Sequence, residues 1–240
     1  MVWRGILQAL QPEVLKTLPI WFVATLLSLT LHEAMHALLG KLGGDDTASD
    51  QVTLDPTPHI RREPFGMLLV PVLSFFFMGG GWMIGWASAP YDPRWAQRHP
   101  KKAALMALGG PLGNLLIAGV AGGVIHAMIA AGQWSPAFSG MSLEELAVTG
   151  GGEATALTTF VSILFSVNVL LAAFNLLPVP PLDGHAVVPL FLTDKGTERW
   201  FRLFEDRSAA LIGLVIAWVV FGRLALTVWE LAVRTLFWTW

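Results

Sequence analysis

The chain has 240 residues, of which 54% are hydrophobic and only 13% charged, and its mean hydropathy is +0.60. An average soluble domain carries roughly 25% charged residues, so this composition describes a polytopic membrane protein and excludes a disordered chain. A net charge of -2 gives no electrostatic basis for nucleic-acid binding, and the lack of cysteine excludes a disulfide framework, a thiolate zinc site and thiol catalysis.

The opening MVWRGILQALQPEV lacks the basic-then-apolar layout and small-residue cleavage site of a signal peptide. The first spanning segment is therefore expected to direct insertion. Five apolar runs follow, at residues 18–39, 65–89, 103–131, 157–177 and 209–229. Each can cross ~30 Å of hydrocarbon as a helix rising ~1.5 Å per residue. Trp21, Trp82, Trp86, Trp134, Trp229 and Trp238 lie near run ends, where interfacial anchors are expected.

The connecting segments differ in charge. Residues 43–55 are polar and acidic and include a short β-like piece at 51–54. Residues 90–102 are basic, with Arg94, Arg98, Lys101 and Lys102; residues 132–156 have no Lys or Arg; residues 178–208 carry Lys195, Arg199 and Arg202. The positive-inside rule places 90–102 and 178–208 in the cytoplasm and 132–156 outside.

The first run is not purely apolar. It contains His32-Glu33-Ala34-Met35-His36, an HExxH pattern. At i and i+4 both imidazoles lie on one helix face, and two neutral imidazoles converging on one spot suit zinc. Glu33 projects beside them, where it can take a proton from metal-bound water. HExxH also arises by chance on soluble helices. At membrane depth, however, an ionisable group costs ~2.5–3.5 kcal/mol on insertion scales for Arg, Lys or Asp and marks function. Two histidines and a glutamate in one span need a partner, and a divalent metal is the natural one.

A third ligand must come from elsewhere, because Leu39 and Leu42 stand where the extended soluble form of the motif has Gly and His. Asp183 is the candidate. It closes Phe174-Asn-Leu-Leu-Pro-Val-Pro-Pro-Leu-Asp-Gly-His185, where Pro178, Pro180 and Pro181 forbid a continuing helix. Unwound backbone at membrane depth is tolerated only where it lines a cavity or is buried in protein. The competing reading is an interfacial turn with Asp183 capping the next helix, and composition alone does not separate the two.

If Asp183 is the third ligand, it shares one depth with His36, and this has a topological consequence. The first run must descend from outside, so the second run starts and ends in the cytoplasm. Gly79-Gly80-Gly81 lies two-thirds along it and is poor helix interior. Residues 65–89 are therefore predicted to form a re-entrant hairpin turning near Gly79 and screening the metal site from lipid. The alternative is five simple crossings with the N-terminus inside, for which Arg4 and Lys16 argue.

These motifs together resemble the site-2 protease family of intramembrane zinc metalloproteases. HEAMH in a membrane helix and NLLPVPPLDG after a later one carry the resemblance. Leu54-Asp-Pro-Thr-Pro-His-Ile60 with Pro64 and Gly66 is similar to the family's LNPxxHIDPxG stretch. Gly85-Trp-Ala87 is similar to its FGWAKPVP region, and Ala107 to Asn114 to its AGPxxN helix start. The likeness runs over residues 29–188. It implies that His32, His36 and Asp183 bind one zinc ion per chain and that Glu33 is the general base. It also implies that Asn114 and Asn175 hydrogen-bond the scissile carbonyl or hold the substrate strand, the alternative being polar glue between helices. Residues 43–54 would form a β-hairpin-like element that receives the substrate as an added strand. Departures are Ser88-Ala89-Pro90 in place of a Lys-Pro pair and the charges of His59-Ile-Arg-Arg-Glu-Pro64. His59 is expected as a solvated loop histidine, His126 as a hydrogen-bonded packing residue, and His185 as a neighbour of the ligand shell.

The expected fold is an all-α polytopic membrane protein with four to five membrane helices, a re-entrant hairpin and a small β element near the active site. It would form a single metalloprotease domain over 1–240 (core 18–192, C-terminal membrane helix 209–229), a compact bacterial-type member without a PDZ-like or nucleotide-sensing CBS domain. The expected activity is a zinc-dependent intramembrane endopeptidase acting on transmembrane protein or peptide substrates in the lipid bilayer of a bacterial inner membrane, its zinc site toward the cytoplasm. The alternative is a proton- or ion-coupled transporter using the same His/Glu/Asp cluster, against which stands the lack of two-half symmetry. Substrate identity and oligomeric state stay open.

Overall fold

The computed structural model describes residues 2–137, 141–206 and 208–238. Two short helices, α1 (Val2–Ala9) and α2 (Pro12–Leu15), precede the long α3 (Leu18–Gly43). Helix α3 has a proline in its first turn and ends at Gly44, whose φ of 98° closes the helix at no steric cost. Next come a 3-10 turn at Ser49–Gln51 and α4 (Thr57–Arg62). The predicted β-like piece at 51–54 is therefore not a strand: Gln51 closes the 3-10 turn, and Asp55 begins the entry to α4 by accepting from Thr57 N–H.

The second apolar run is not a spanning helix. It forms a π-type turn at Phe65–Leu69 and α5 (Val70–Phe77), then reverses at Gly79 and Gly80, both at positive φ (72° and 87°), and returns without helical structure. The return strand lies on the helix. Ile84 N–H donates to Ser74 Oγ (2.8 Å), Trp86 N–H donates to the Gly66 carbonyl (3.2 Å), and Ser88 Oγ donates to Glu63 at the base (2.7 Å). Gly66 and Gly85 permit this closeness: a methyl group on Gly66 would fall 2.3 Å from the Trp86 carbonyl oxygen. Residues 65–89 thus form the hairpin expected from the three glycines, its ends side by side. Its tip rests against α1 and Val14.

Helix α6 (Pro93–Arg98) leads into α7 (Pro100–Ala130), whose interior carries Pro111. Strands β1 (Trp134–Pro136) and β2 (Ala147–Thr149) pair antiparallel, Ser135 opposite Val148. The small β element thus exists, but it joins the end of α7 to α8 rather than following α3. Helix α8 (Ala156–Asn175) opens with a reciprocal Thr155–Thr158 capping box. It stops ahead of the proline break, which contains a cis Pro180–Pro181 peptide. After the break come α9 (Asp183–Val187), a 3-10 turn at Val188–Phe191, α10 (Asp194–Arg202) and α11 (Ser208–Leu236).

Among the described residues, four helical stretches are long and apolar enough to cross a membrane: Pro12–Gly43, Pro100–Ala130, Ala156–Asn175 and Ser208–Leu236. With the hairpin, this is an all-α polytopic membrane fold. Helices α3, α7 and α8 form its centre. One apolar core gathers Trp21, Ala24, Phe75 and Met83 around Ile163 and Val167 of α8. A second joins the far ends of α7 and α8 with β1, β2 and the end of α11. Trp21 and Trp134 belong to these cores rather than to an exposed belt, whereas Trp86 and Trp238 are exposed.

Candidate metal centre

The centre is built where α3 crosses α7. Their close approach depends on missing side chains: a methyl group on Gly109 would lie 2.6 Å from the Met35 carbonyl oxygen, and one on Gly113 would lie 2.9 Å from Met35 Cγ. His32 and His36, one turn apart on α3, then face α7, and both are buried. Asp183 arrives from the proline break. Its Oδ2 stands 3.1 Å from His32 Nε2 and its Oδ1 3.3 Å from His36 Nε2, while the two Nε2 atoms are 3.1 Å apart. Gly184 lets this segment fold back on the end of α8, since a Cβ there would sit 2.3 Å from the Leu176 carbonyl oxygen.

The protonation pattern follows from the partners. His36 Nδ1 lies 2.8 Å from the Met106 carbonyl, which can only accept, so Nδ1 carries the proton; the longer 3.3 Å approach of Gly110 N–H to the same atom is secondary. For His32 the deduction runs through four residues. The Leu164 carbonyl fixes the Asn168 amide by accepting from Nδ2 (2.8 Å). Asn168 Oδ1 then accepts from Asn114 Nδ2 (2.7 Å), which leaves Asn114 Oδ1 to accept from His32 Nδ1 (2.6 Å). Ser28, one turn before His32, accepts from the second Asn168 proton (2.8 Å). With Nδ1 protonated, the neutral rings turn their Nε2 lone pairs toward each other and toward the carboxylate. A cation between two such lone pairs and an anion is the chemistry this donor set suits. Asp183 Oδ2 is buried without a hydrogen bond, which fits a metal seat rather than a helix cap. Among the described residues, His32, His36 and Asp183 form the group that could hold a metal ion, their ligand atoms all within 4.8 Å of one another.

Glu33 is buried beside this group and is not part of it. Asn114 lies in the centre, but one amide N–H is committed to Asn168, the other faces the Ser28 carbonyl (3.5 Å), and its oxygen is committed to His32. It orients the His32 ring rather than offering a free donor to a scissile carbonyl. Asn175 donates to the Leu171 carbonyl (3.1 Å) at the end of α8 and joins none of the hydrogen bonds of the centre. His185 turns away into an aromatic nest, stacked 5.4 Å from Trp200 and edge-on to Phe204. His126 bonds the Leu236 carbonyl and so pins α11 to α7. His59 is no solvated loop residue: it is 1% exposed on α4, because that helix docks its inner face on the protein. Sequence reasoning missed Ser28 and Asn168. Both are polar residues within apolar runs, and Ser28 stands four positions before His32.

Two imidazole lone pairs and a carboxylate, with an adjacent buried glutamate, in a fold of membrane-crossing helices, define a zinc-dependent protease of the HExxH class with a single metal seat. Comparison with known proteins gives the family. The chain belongs to peptidase family M50, whose description matches residues 20–220. It is 33% identical over 177 residues, covering 72% of this chain and 69% of the relative, to the Bacillus subtilis (strain 168) protein named "Putative zinc metalloprotease YwhC". No solved structure matches it. Family and helices together describe a multi-pass membrane protein, and the transporter alternative is not favoured.

Proposed function

We propose that this protease hydrolyses peptide bonds in or near transmembrane segments of other membrane proteins. The observation that carries the reading is the convergence of both Nε2 lone pairs and the Asp183 carboxylate on one point flanked by Glu33. In this reading His32, His36 and Asp183 hold the zinc and Glu33 is the general base. The bound ion supplies Lewis acidity toward the scissile carbonyl and acidifies water. Glu33 accepts the proton released by the attacking water and returns it to the leaving amine. The Asn114–Asn168–Ser28 string holds the His32 ring at its angle, and the Met106 carbonyl holds that of His36. The substrate helix must unwind before attack, because a helical peptide carbonyl is shielded and already hydrogen-bonded.

The hairpin supports an orientation in which the ends of residues 65–89 and the basic 90–102 segment face the cytoplasm of a bacterial inner membrane. Glu33→Gln tests the core assignment. The variant should retain about one zinc per chain, as expected for a non-ligand, and lose cleavage of a transmembrane reporter. Substantial turnover by the variant removes Glu33 from the role.

A further inference from the structure

Helix α11 is long and apolar enough to cross a membrane, yet it carries a charge far from either end. Residues 209–222 are an unbroken run without a charged side chain, and Arg223 follows them. At ~1.5 Å per residue Arg223 stands about 21 Å beyond Ala209 and about 10 Å short of Glu230, the next charged residue. Both distances place it inside ~30 Å of hydrocarbon. A charged group at that depth is costly and marks function.

The protein itself does not cover it. Helix α11 packs inward through Gly213, Ala217 and Val233, which are buried, through Phe221, edge-on to Phe174 at 5.1 Å, and through Trp229, whose Nε1 donates to Ser166 Oγ (3.1 Å). Arg223 comes two positions after Phe221, about 200° round the helix, and it is exposed. Among the described residues it makes no ion pair and no side-chain hydrogen bond. Escape to water along the helix is unfavourable. Side chains on a helix tilt toward its N-terminus, which from Arg223 is the direction of the long apolar run, whereas the nearer polar end lies the other way.

The chemistry of the place selects the occupant. A lipid phosphate stays at the bilayer surface, away from this depth. A second copy of the chain, inserted the same way and related by an axis along the membrane normal, sets Arg223 against Arg223, like charge against like. A membrane helix of different sequence, with a carboxylate at that level, meets the guanidinium with the opposite charge and two acceptor oxygens. Gly222 makes room for it: a Cβ built there meets nothing within 4 Å, and glycine on a helix face lets a second backbone approach closely.

We infer that the outward face of α11 around Arg223 docks a transmembrane helix of another protein, one that carries an aspartate or glutamate at the same depth. The carboxylate accepts hydrogen bonds from the guanidinium. The inference rests on α11 crossing the membrane and does not depend on the protease reading.

The test uses the full chain in proteoliposomes and a synthetic bilayer-spanning leucine helix with one aspartate at mid-span, compared with an all-leucine helix and with one carrying lysine. Energy transfer from labelled protein to labelled peptide reads binding. The aspartate peptide should bind about tenfold more tightly than the all-leucine one. The preference should vanish in Arg223→Leu, persist in Arg223→Lys, and turn to the lysine peptide in Arg223→Glu. Arg223→Leu should keep wild-type zinc content and thermal midpoint, because the side chain touches nothing within the protein. Equal binding of the aspartate and all-leucine peptides to wild type overturns the inference, as does a lowered thermal midpoint in Arg223→Leu. Self-association of labelled wild-type chains that Arg223→Leu abolishes assigns the face to a second copy and overturns it too. So does a dependence on Arg223 that follows the fraction of anionic lipid rather than the peptide.

Discussion

Gly110 is the most demanding position in the metal centre, and replacing it with alanine gives a quantitative test. A methyl carbon built there falls 2.3 Å from His36 Nε2 and 2.4 Å from His32 Nε2. Non-bonded heavy atoms rest at about 3.5 Å or more, so the overlap is about 1 Å. Those distances are also close to a Zn–N bond of ~2.0–2.1 Å, which means that the methyl takes up space the ion needs. The rings cannot swing aside, because each is anchored at Nδ1, by Asn114 at 2.6 Å and by Met106 at 2.8 Å. A metal site tolerates displacements of only about 0.2 Å. The helix itself has no objection: alanine is favoured over glycine in a helix interior by ~0.8–1.0 kcal/mol. Gly110→Ala should therefore fold and melt near the wild-type temperature while zinc affinity falls by at least ~100-fold, the upper end of what loss of one ligand-orienting partner does. Zinc per chain, titrated against a graded chelator, reads this directly. Gly119 and Gly123 are the controls in the same helix, because a methyl group there meets nothing within 4 Å. Their alanine variants should bind zinc normally and gain up to ~1 kcal/mol. A Gly110→Ala protein with wild-type zinc affinity would refute the convergence of the two Nε2 atoms.

Asp183→Ala should lower zinc content as His32→Ala does; if Asp183 only caps α9, zinc will be unchanged and stability will drop by ~0.5–2 kcal/mol. Asn168→Leu cuts the string that orients Asn114 and should weaken zinc binding ~10–100-fold, whereas Asn175→Ala should leave it alone; equal effects in a chelator titration would contradict the hydrogen-bond deduction. Lys101 Nζ donates to the Pro189 (2.5 Å), Leu190 (3.2 Å) and Leu192 carbonyls beyond Asp183, so Lys101→Met should cost about 1 kcal/mol in chemical denaturation and loosen zinc, and an unchanged zinc affinity would mean that the tie does not reach Asp183. The chain has no native cysteine, so Ser49→Cys should resist an impermeant thiol reagent applied to intact cells and react once the membrane is opened; labelling from outside would reverse the proposed orientation.

The parts of the centre that are contiguous in sequence were legible there. HExxH needs only helical spacing to bring two imidazoles together, and the prolines after Asn175 announce the break that delivers Asp183. The glycines at 79–81 announced the hairpin, because two of them take a backbone conformation that other residues avoid. What was not legible depends on which face of an apolar helix turns inward. In a membrane helix both faces are apolar, so the pattern does not reveal that Ser28 and Asn168 meet across α3 and α8. For the same reason Trp21 reads as an interfacial anchor, although it is fully buried with Nε1 donating to Glu144 at 2.7 Å. The strand assigned to 51–54 failed because four residues of β-prone sequence had no partner strand, while Ala147–Thr149 did. His59 was misjudged because the burial of a short helix is decided by docking, which its sequence does not carry.

In the proposed reading, the metal ligands come from one rigid helix and from the first residue of α9, just past the irregular proline break. Helix α3 fixes two ligands through its own geometry, and α7 presses on them with glycines, so neither ring has room to rotate. An α-helix could not supply the third ligand from α8, because its carboxylate would need to leave the helix end and turn back toward α3. The prolines make that turn possible and release the backbone from helix geometry. Lys101 and Lys102 then restrain the two sides from the start of α7: Lys101 bonds the carbonyls after α9, and Lys102 bonds the Gly43 carbonyl at the end of α3 (3.0 Å). Positive charge at a helix N-terminus is unfavourable in isolation. Here each ammonium meets carbonyls at the end of another element, where a cation is favoured. The same helix that contacts both histidines thus also ties down the ends of the two segments that carry His32, His36 and Asp183.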